Sequence, residues 1–514
     1  MKFIVFSETN AGNVSSSLGL PEYSYYFVLK SYLPLLRRIG DVVEVLNPQS
    51  EVDPIFHQCN QDGLPCVFLS FSPPGRTLTS LRCPTISVFA WEFEDIPYES
   101  WGKEISANWA YVLRQLPGAI THSSYSKKSV RDRMGPDYIV ASIPAPVWQE
   151  DGLVQAPVDV NLKKLSLQFS GYLVNSKDIS WAEIEPNVQW DRKSNQSWLQ
   201  PSGGGYEAGT ELRGKSVPAK SVFAVLQRAV VSVKHHFVEW HNDVLEGILP
   251  PRMLTTVSEP EGATQNPECR VESLPAALRE RFYSDFHTLD LEGVIYSAVI
   301  NPEDGRKNHR DLISVFAETF RDCKDACLLL KLTHSNPDRG LSRLLAEIYR
   351  STPFQCQIVL LASYLDDRGF QSMMNATSFV VNASHGEGQC LPLMEFMSSG
   401  IPAIAPNTTA MADYINSANA FIVKSSREMT SWPQDPRQVL RTFRYQIDPE
   451  SLHHAYAESY RVAKDSEKYS RMATAARKSQ KIFCSLDQAE KQLREFLADL
   501  ESTGVLKGVR GRVG

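Results

Sequence analysis

Long apolar runs are missing from this sequence, and so are cysteine pairs and any strong bias of charge. No stretch approaches the roughly 20 apolar residues that a membrane-spanning helix needs. The opening MKFIVFSETN offers only Phe3 to Phe6 as a continuous apolar run before Ser7 and Glu8. That is too short for a secretion-signal core and suits a first β-strand instead. The nine cysteines include no C-x-x-C pair, and their odd number argues against a disulfide framework. Cys323 and Cys327 stand four apart without companion ligands, so buried or incidental thiols in a reducing cytosol are expected. A net charge of -6 and a pI near 6.1 give no general attraction for nucleic acid or an anionic membrane. Only pieces such as the tail KGVRGRVG are locally basic.

What is present is an ordinary globular composition, 42% apolar and 22% charged, spread over 514 residues. That length exceeds one hydrophobic core, so two or more domains are expected. From Gly293 onward, strand-like runs (GVIYSAVI, CLLLKLT, QIVLLAS, SFVVNAS, IPAIAP, AFIV) alternate with helical ones. In DLISVFAETF the apolar residues Leu312, Ile313, Phe316 and Phe320 recur at helical spacing. Short apolar runs without period-two alternation indicate parallel strands covered on both faces, hence a doubly wound α/β domain at 286–445. Residues 1–150 repeat the pattern more loosely, with strands at KFIVF, VVEVL, PCVFLSF, PTISVFA, GAIT and YIVASI. Helical periodicity marks NWAYVLRQLPG and EYSYYFVLKSYLPLLRRIG, where Pro34 is expected to kink or end the helix. Two Rossmann-like domains facing a cleft are therefore expected, and such a cleft suits a small molecule.

The rhythm breaks over 151–285, read as an inserted subdomain with a turn-rich loop (QPSGGGYEAG) and a long amphipathic helix around Val230 to Val244. His235, His236, His241 and Glu239 fall there, but no two of these histidines stand three or four apart, as helical ligand pairs do. No metal is expected on that account. Helices and a basic tail fill 446–514.

The chemistry concentrates in HGEGQCLPLMEFMSSGIPAIAP, from His385. It joins a strand to a helix that opens near Pro392, and proline is favoured at a first helical position. The backbone N–H groups of Gly388, Gln389, Cys390 and Leu391 can converge on an anion there, aided by the positive helix end. Glu395, in the first turn, can accept hydrogen bonds from a vicinal diol such as a ribose, and Glu387 would sit nearer whatever lies beyond the phosphate. The bland alternative makes Glu395 a helix-dipole residue and Glu387 a solvated loop residue. In NPEDGRKNHRDLISVF, Arg306 and Lys307 precede a helix near its positive end. Cations there cost roughly 0.3–1 kcal/mol unless an anion compensates, and a diphosphate would supply one.

Both segments resemble retaining GT-B glycosyltransferases of the family-4 type, over about 292–423. The first is similar to that family's Glu, seven residues, Glu motif, with Glu387 and Glu395 on its two glutamates; Gly386 to Leu391 fall in the same donor-binding turn. DGRKN resembles the segment whose lysine meets the donor phosphates, which implies that role for Lys307 and also for Arg306. VLLASYLDDRGFQSMMNATSFVV is similar to the stretch bordering the base, where Ser363 and Tyr364 stand. SSSLGLPEYSYYFVLK resembles the family's glycine loop, which implies that Gly19 lies near donor or acceptor. ISVFAWEFEDIPYESW looks like the strand end that borders the acceptor; many relatives carry a histidine where this chain has Ala90, Trp91 and Glu92. GAITHSSYSKKSV resembles a serine-containing strand-to-helix joint with Ser124 and a His122 read as structural.

The resemblance implies transfer of a sugar from a nucleotide diphosphate sugar to a hydroxyl acceptor, a glycan or lipid-linked one, in polysaccharide, lipopolysaccharide or other glycan assembly. Glu387, Lys307, Arg306 and Glu92 are the catalytic candidates. No cofactor or metal is expected if Lys307, Arg306 and the helix end neutralise the diphosphate. No nucleic acid is expected as a partner, and the location implied is cytoplasmic or peripheral at the inner membrane face, with a partner protein as an option for the insertion. The alternatives are another GT-B enzyme, an epimerase or phosphorylase, or a non-catalytic GT-B scaffold binding a partner through the insertion.

Overall fold

The computed structural model describes residues 1–10, 12–14, 19, 23–100, 104–148, 150, 164–181, 184, 274–334, 336–432, 435 and 437–506. The long helix, the turn-rich loop and the three histidines of the insertion lie outside these residues, as does the basic tail.

The amino-terminal half alternates β1 (Lys2–Ser7), α1 (Tyr23–Ile39), β2 (Asp41–Glu44), α2 (Pro48–Gln61), β3 (Cys66–Phe71), β4 (Thr85–Phe89), α3 (Trp109–Leu113), β5 (Ala119–Thr121), α4 (Ser124–Met134) and β6 (Val140–Ser142). Its strands form one parallel sheet of order β2-β1-β3-β4-β5-β6. Every residue of β3 and β4 is buried, which is why these strands read as mainly apolar, with Ser70, Thr85 and Ser87 the polar members. Pro34 does not end α1, contrary to expectation: the helix runs on to Ile39. Interior proline costs about 3 kcal/mol. Tyr25, Val28, Leu29, Tyr32, Leu35 and Leu36 are all buried along the helix. At roughly 1.5–3 kcal/mol for each buried large apolar side chain, that face outweighs the defect. NWAYVLRQLPG, by contrast, yields only the five-residue α3.

In the carboxyl-terminal half come β7 (Lys164–Asn175), α5 (Ala276–Phe282), β8 (Tyr283–Glu292), β9 (Val294–Ile300), α6 (His309–Thr319), β10 (Ala326–Leu332), α7 (Asp338–Arg350), β11 (Gln357–Ala362), α8 (Asp367–Ala376), β12 (Phe379–Val381), α9 (Leu391–Ser398), β13 (Ala403–Ala405) and β14 (Ala420–Ile422). The sheet order is β14-β13-β12-β9-β10-β11-β7-β8. From β14 to β11 it is parallel, and β7 and β8 extend it antiparallel. Thus Lys164–Asn175 and Tyr283–Asp285, inside the stretch read as an insertion, belong to strands of the second sheet. β7 alternates cleanly, buried at Leu165, Leu167 and Phe169, as a strand with one solvated face does.

Two further elements tie the halves together. A hairpin of β15 (Ser425–Ser431) and β16 (Arg441–Ile447) follows β14. Trp432 beyond β15 packs against Trp91 and Trp109 of the first half, with ring centroids 5.6 and 6.0 Å apart. After α10 (Pro449–Ala463) and α11 (Ser466–Cys484), the last helix, α12 (Leu486–Ser502), crosses over. Its Leu493, Phe496, Leu497 and Leu500 belong to the same apolar cluster as Leu35, Val88 and Ile120 of the first half.

Candidate functional site

In the second sheet the strand order reverses between β9 and β12, and ligands of doubly wound folds bind beyond the carboxyl ends of the strands at such a point. The two loops that leave the sheet there are the DGRKN loop after β9 and the HGEGQC loop after β12. They are joined by the His385 N–H, which donates to the Arg306 carbonyl at 2.9 Å.

At their meeting lies a buried ionic cluster. The Lys307 ammonium donates to Glu387 Oε1 at 2.7 Å, and Arg306 Nη1 donates to Glu387 Oε2 at 3.0 Å. Ser384 Oγ and Asn382 Nδ2 also donate to Oε1, at 2.6 and 3.1 Å, while the Glu387 N–H donates to Thr409 Oγ1. Burial pushes the Glu387 carboxyl up, but Lys307 and Arg306, with the Lys307 and Ser384 hydrogen bonds, hold it well below the usual carboxylate range. Arg306 is engaged further: Nη2 with Asp304 at 2.9 Å, Nε with Glu92 at 3.2 Å, and Nη1 with the Gly386 carbonyl at 2.5 Å. Burial raises the Glu92 carboxyl, against the pull of Arg306.

One alternative and one expectation fall here. The bland alternative of a solvated loop Glu387 fails, because that residue is 3% exposed. Nor does the charge of Arg306 and Lys307 require a bound anion for compensation, since Asp304, Glu387 and Glu92 surround them. The four residues named as catalytic do converge, with Glu92 arriving from the end of β4 in the other sheet. Sequence reasoning missed Asp304, Asn382, Ser384 and Thr409. Asp304 was visible in principle, as the residue that caps the turn before Arg306.

The turn from Gly386 to Leu391 is fixed from both sides. Tyr414 OH donates to the Gln389 carbonyl at 2.9 Å. Cys390 takes a left-handed conformation (φ 65°) ahead of α9, which opens at Leu391 with Pro392 in its first turn. Leu391 packs against the first half's apolar cluster. Gln389 is buried, and neither amide atom has a hydrogen-bond partner among the described residues. Gly388 sits where a Cβ would come within 2.8 Å of both the Ala90 Cβ and the Trp91 backbone nitrogen. Gly388→Ala should therefore push the turn away from the β4 end and lower stability by about 1–3 kcal/mol, as overpacking does. Urea unfolding checks this, and a neutral substitution would mean that the two loops do not touch in solution.

A second group of candidates meets nearby. Glu395 is half-buried on α9. The Tyr23 phenol is raised by burial, with Tyr364 and Glu395 adding to the effect, so the three side chains share one neighbourhood. Lys30 of α1 pairs with Asp367 of α8 at 3.1 Å beside them. Ser363 spends its hydroxyl on the Ser170 carbonyl at 2.7 Å, while Tyr364 is exposed. Burial, with Asp367 nearby, pushes the Glu395 carboxyl up to about 7. Above its ordinary value of 4.5, the folded chain keeps a proton that the unfolded chain has released. Stability should then fall as pH climbs from about 4.5 to about 7, and Glu395→Gln should remove that loss. Melting temperatures of the two proteins should diverge across this window and stay apart above it; parallel curves would place the carboxylate in water.

Gly19, at φ 86°, brings its carbonyl within 3.2 Å of Asn301 Nδ2, and a Cβ there would strike the His334 ring at 2.5 Å. Gly19 thus touches the second half beside the ends of β9 and β10. Ser124 begins α4, and its N–H donates to Asp413 of the second half at 2.7 Å. His122 is buried, its Nδ1 paired with the Ile143 carbonyl at 2.9 Å, and burial holds its pKa down at about 4.

No family model matches this chain, and no curated protein does. Solved structures do. Sucrose-phosphate synthase from Thermosynechococcus elongatus is 12% identical with a TM-score of 0.47, over 98% of this chain and 100% of that one. HepE from Anabaena, in complex with UDP and glucose, is 10% identical with a TM-score of 0.44, over 97% and 99%. TarM from S. aureus is 8% identical with a TM-score of 0.42; the match takes in 84% of this chain and 55% of that one. Values this low transfer no residue's role, so the functional reading rests on the site.

Proposed function

We propose that the chain is a GT-B glycosyltransferase that moves a sugar from a nucleotide diphosphate sugar to a hydroxyl acceptor with retention. The observation that supports this best is the pairing of Lys307 and Arg306 with Glu387 at the switch point of the second sheet, within reach of Glu92 from the first. Two cations fixed before a reacting phosphate act as electrostatic stabilisers of the leaving group. A donor diphosphate competes with Glu387 for the Lys307 ammonium, which has further N–H bonds to give. Arg306, held by three carboxylates and a carbonyl, keeps its position while that exchange occurs. Glu395 and Tyr364 offer a diol acceptor and a ring for the nucleoside, and the turn from Gly388 to Leu391 takes the phosphates. Attack from the front face lets the departing phosphate oxygen receive the acceptor proton. Glu387 is ion-paired rather than free, which suits a sugar-orienting role better than that of a nucleophile.

Incubation with a panel of nucleotide sugars, followed by product analysis, tests the reading. Transfer or slow donor hydrolysis is expected. Isomerised donor would make the chain an epimerase, and the absence of both turnover and nucleotide binding would make it a scaffold.

A further inference from the structure

A cavity of about 430 Å³ opens among the loops at the amino ends of β4 and β5, the end of the first sheet opposite Glu92. Its volume falls within the roughly 300–1,000 Å³ of small-molecule sites. Leu81 and Leu116 give it apolar walls, and Val505, from the chain beyond α12, adds a third. Two arginines line it as well: Arg82, in the loop leading into β4, and Arg114, directly after α3. Among the described residues neither guanidinium has a hydrogen-bond or ion-pair partner, and no aspartate or glutamate lines the cavity. Arg38, Arg76 and Arg133 of the same half, by contrast, each pair with a carboxylate. Asp53 is not among the lining residues. It accepts the Arg82 and Cys83 N–H groups, at 2.9 and 3.3 Å, and so fixes the loop that carries Arg82. On the rim, the backbone N–H groups of Thr79 and Leu81 meet no acceptor among the described residues.

We propose that this cavity is a second ligand site, separate from the donor site, and that it takes a phosphate monoester. The phosphate is held by Arg82 and Arg114, and the organic body lies against Leu81, Leu116 and Val505. Guanidinium forks match phosphate oxygens in pairs, which a point charge cannot do. Charge balance selects the monoester: its second pKa is about 6, so near neutral pH it is mostly a dianion, one charge for each arginine. A monocarboxylate would leave one guanidinium unanswered. The apolar walls favour an ester with a carbon body over free phosphate, because covering them removes apolar surface from water. Such a ligand would join the chain before β4, after α3 and after α12. None of this rests on the transferase reading, since no residue of the candidate site lines the cavity.

Calorimetric titration of the full chain with phenyl phosphate, near neutral pH and at fixed ionic strength, tests this. One-to-one binding is expected, with a rise in melting temperature as the ligand saturates the folded state. Arg82→Ala and Arg114→Ala should each weaken binding about tenfold or more, with the circular dichroism of the fold unchanged. Thr79 is exposed, so Thr79→Glu should fold normally and abolish binding by placing a carboxylate at the rim. Lys307→Ala should leave the affinity as it was, which separates this site from the donor site. The proposal is overturned if phenyl phosphate does not bind, if its affinity survives both arginine substitutions, or if Lys307→Ala abolishes it. Benzoate binding as tightly as phenyl phosphate would overturn the assignment to a phosphate monoester.

Discussion

Glu387→Ala should cost the fold about 3–5 kcal/mol, the usual penalty for leaving buried charge without its partner. Removing this carboxylate takes the counter-ion from Lys307 and one of three from Arg306, and it strands Ser384 Oγ and Asn382 Nδ2. Urea unfolding near neutral pH measures the loss. Because the folded chain holds this carboxyl below its ordinary value of 4.5, the stabilisation is complete above about pH 4.5. It drains away as pH falls through the lower folded value. Acid unfolding of wild type should therefore be steep, and that of Glu387→Gln shallower from a lower starting point. An alanine variant as stable as wild type would mean that water reaches Arg306 and Lys307 freely, contrary to the burial described above.

Lys307→Ala should reduce turnover about 10²–10³-fold, the scale seen when one preorganised donor to a developing charge is removed. The ammonium is expected to follow the departing phosphate, so kcat should fall more than nucleotide affinity. A lysine whose sole partner was the donor phosphates would leave the unliganded fold unaffected when removed. The 2.7 Å bond to Glu387 changes that. Loss of a charge-assisted hydrogen bond of this kind costs roughly 1.5–3 kcal/mol, so the unliganded melt should drop as well. Lys307→Arg keeps a positive charge and should recover stability ahead of turnover. Full activity in Lys307→Ala would remove the residue from the chemistry.

The parallel strands were legible because burial on both faces leaves mainly apolar runs without alternation, as in CVFLSF and QIVLLA. The helix opening at Leu391 was legible from Pro392. What failed depended on partners distant in the chain. Strand β7 alternates cleanly but could be placed only once its partner, more than a hundred residues later, was known. α2 is absent from the sequence reading, although Pro48 at its first position favours a helix. In the site, residue types were readable but pairings were not. A lysine beside an arginine before a helix suggests an absent anion, and only the fold reveals that the anion is Glu387.

The crossing of α12 bears on how the protein is made. Its Leu493, Phe496, Leu497 and Leu500 complete the apolar cluster over the first half's sheet, yet they are translated after nearly everything else. As the chain leaves the ribosome, the half that emerges first must wait with that face uncovered while the second half is built. The second sheet contains its own helices and can close earlier, so the last domain to start is the first to finish. Nascent chains stalled before residue 486 should consequently bind chaperones through the first half, a liability set by topology and not by any residue of the site.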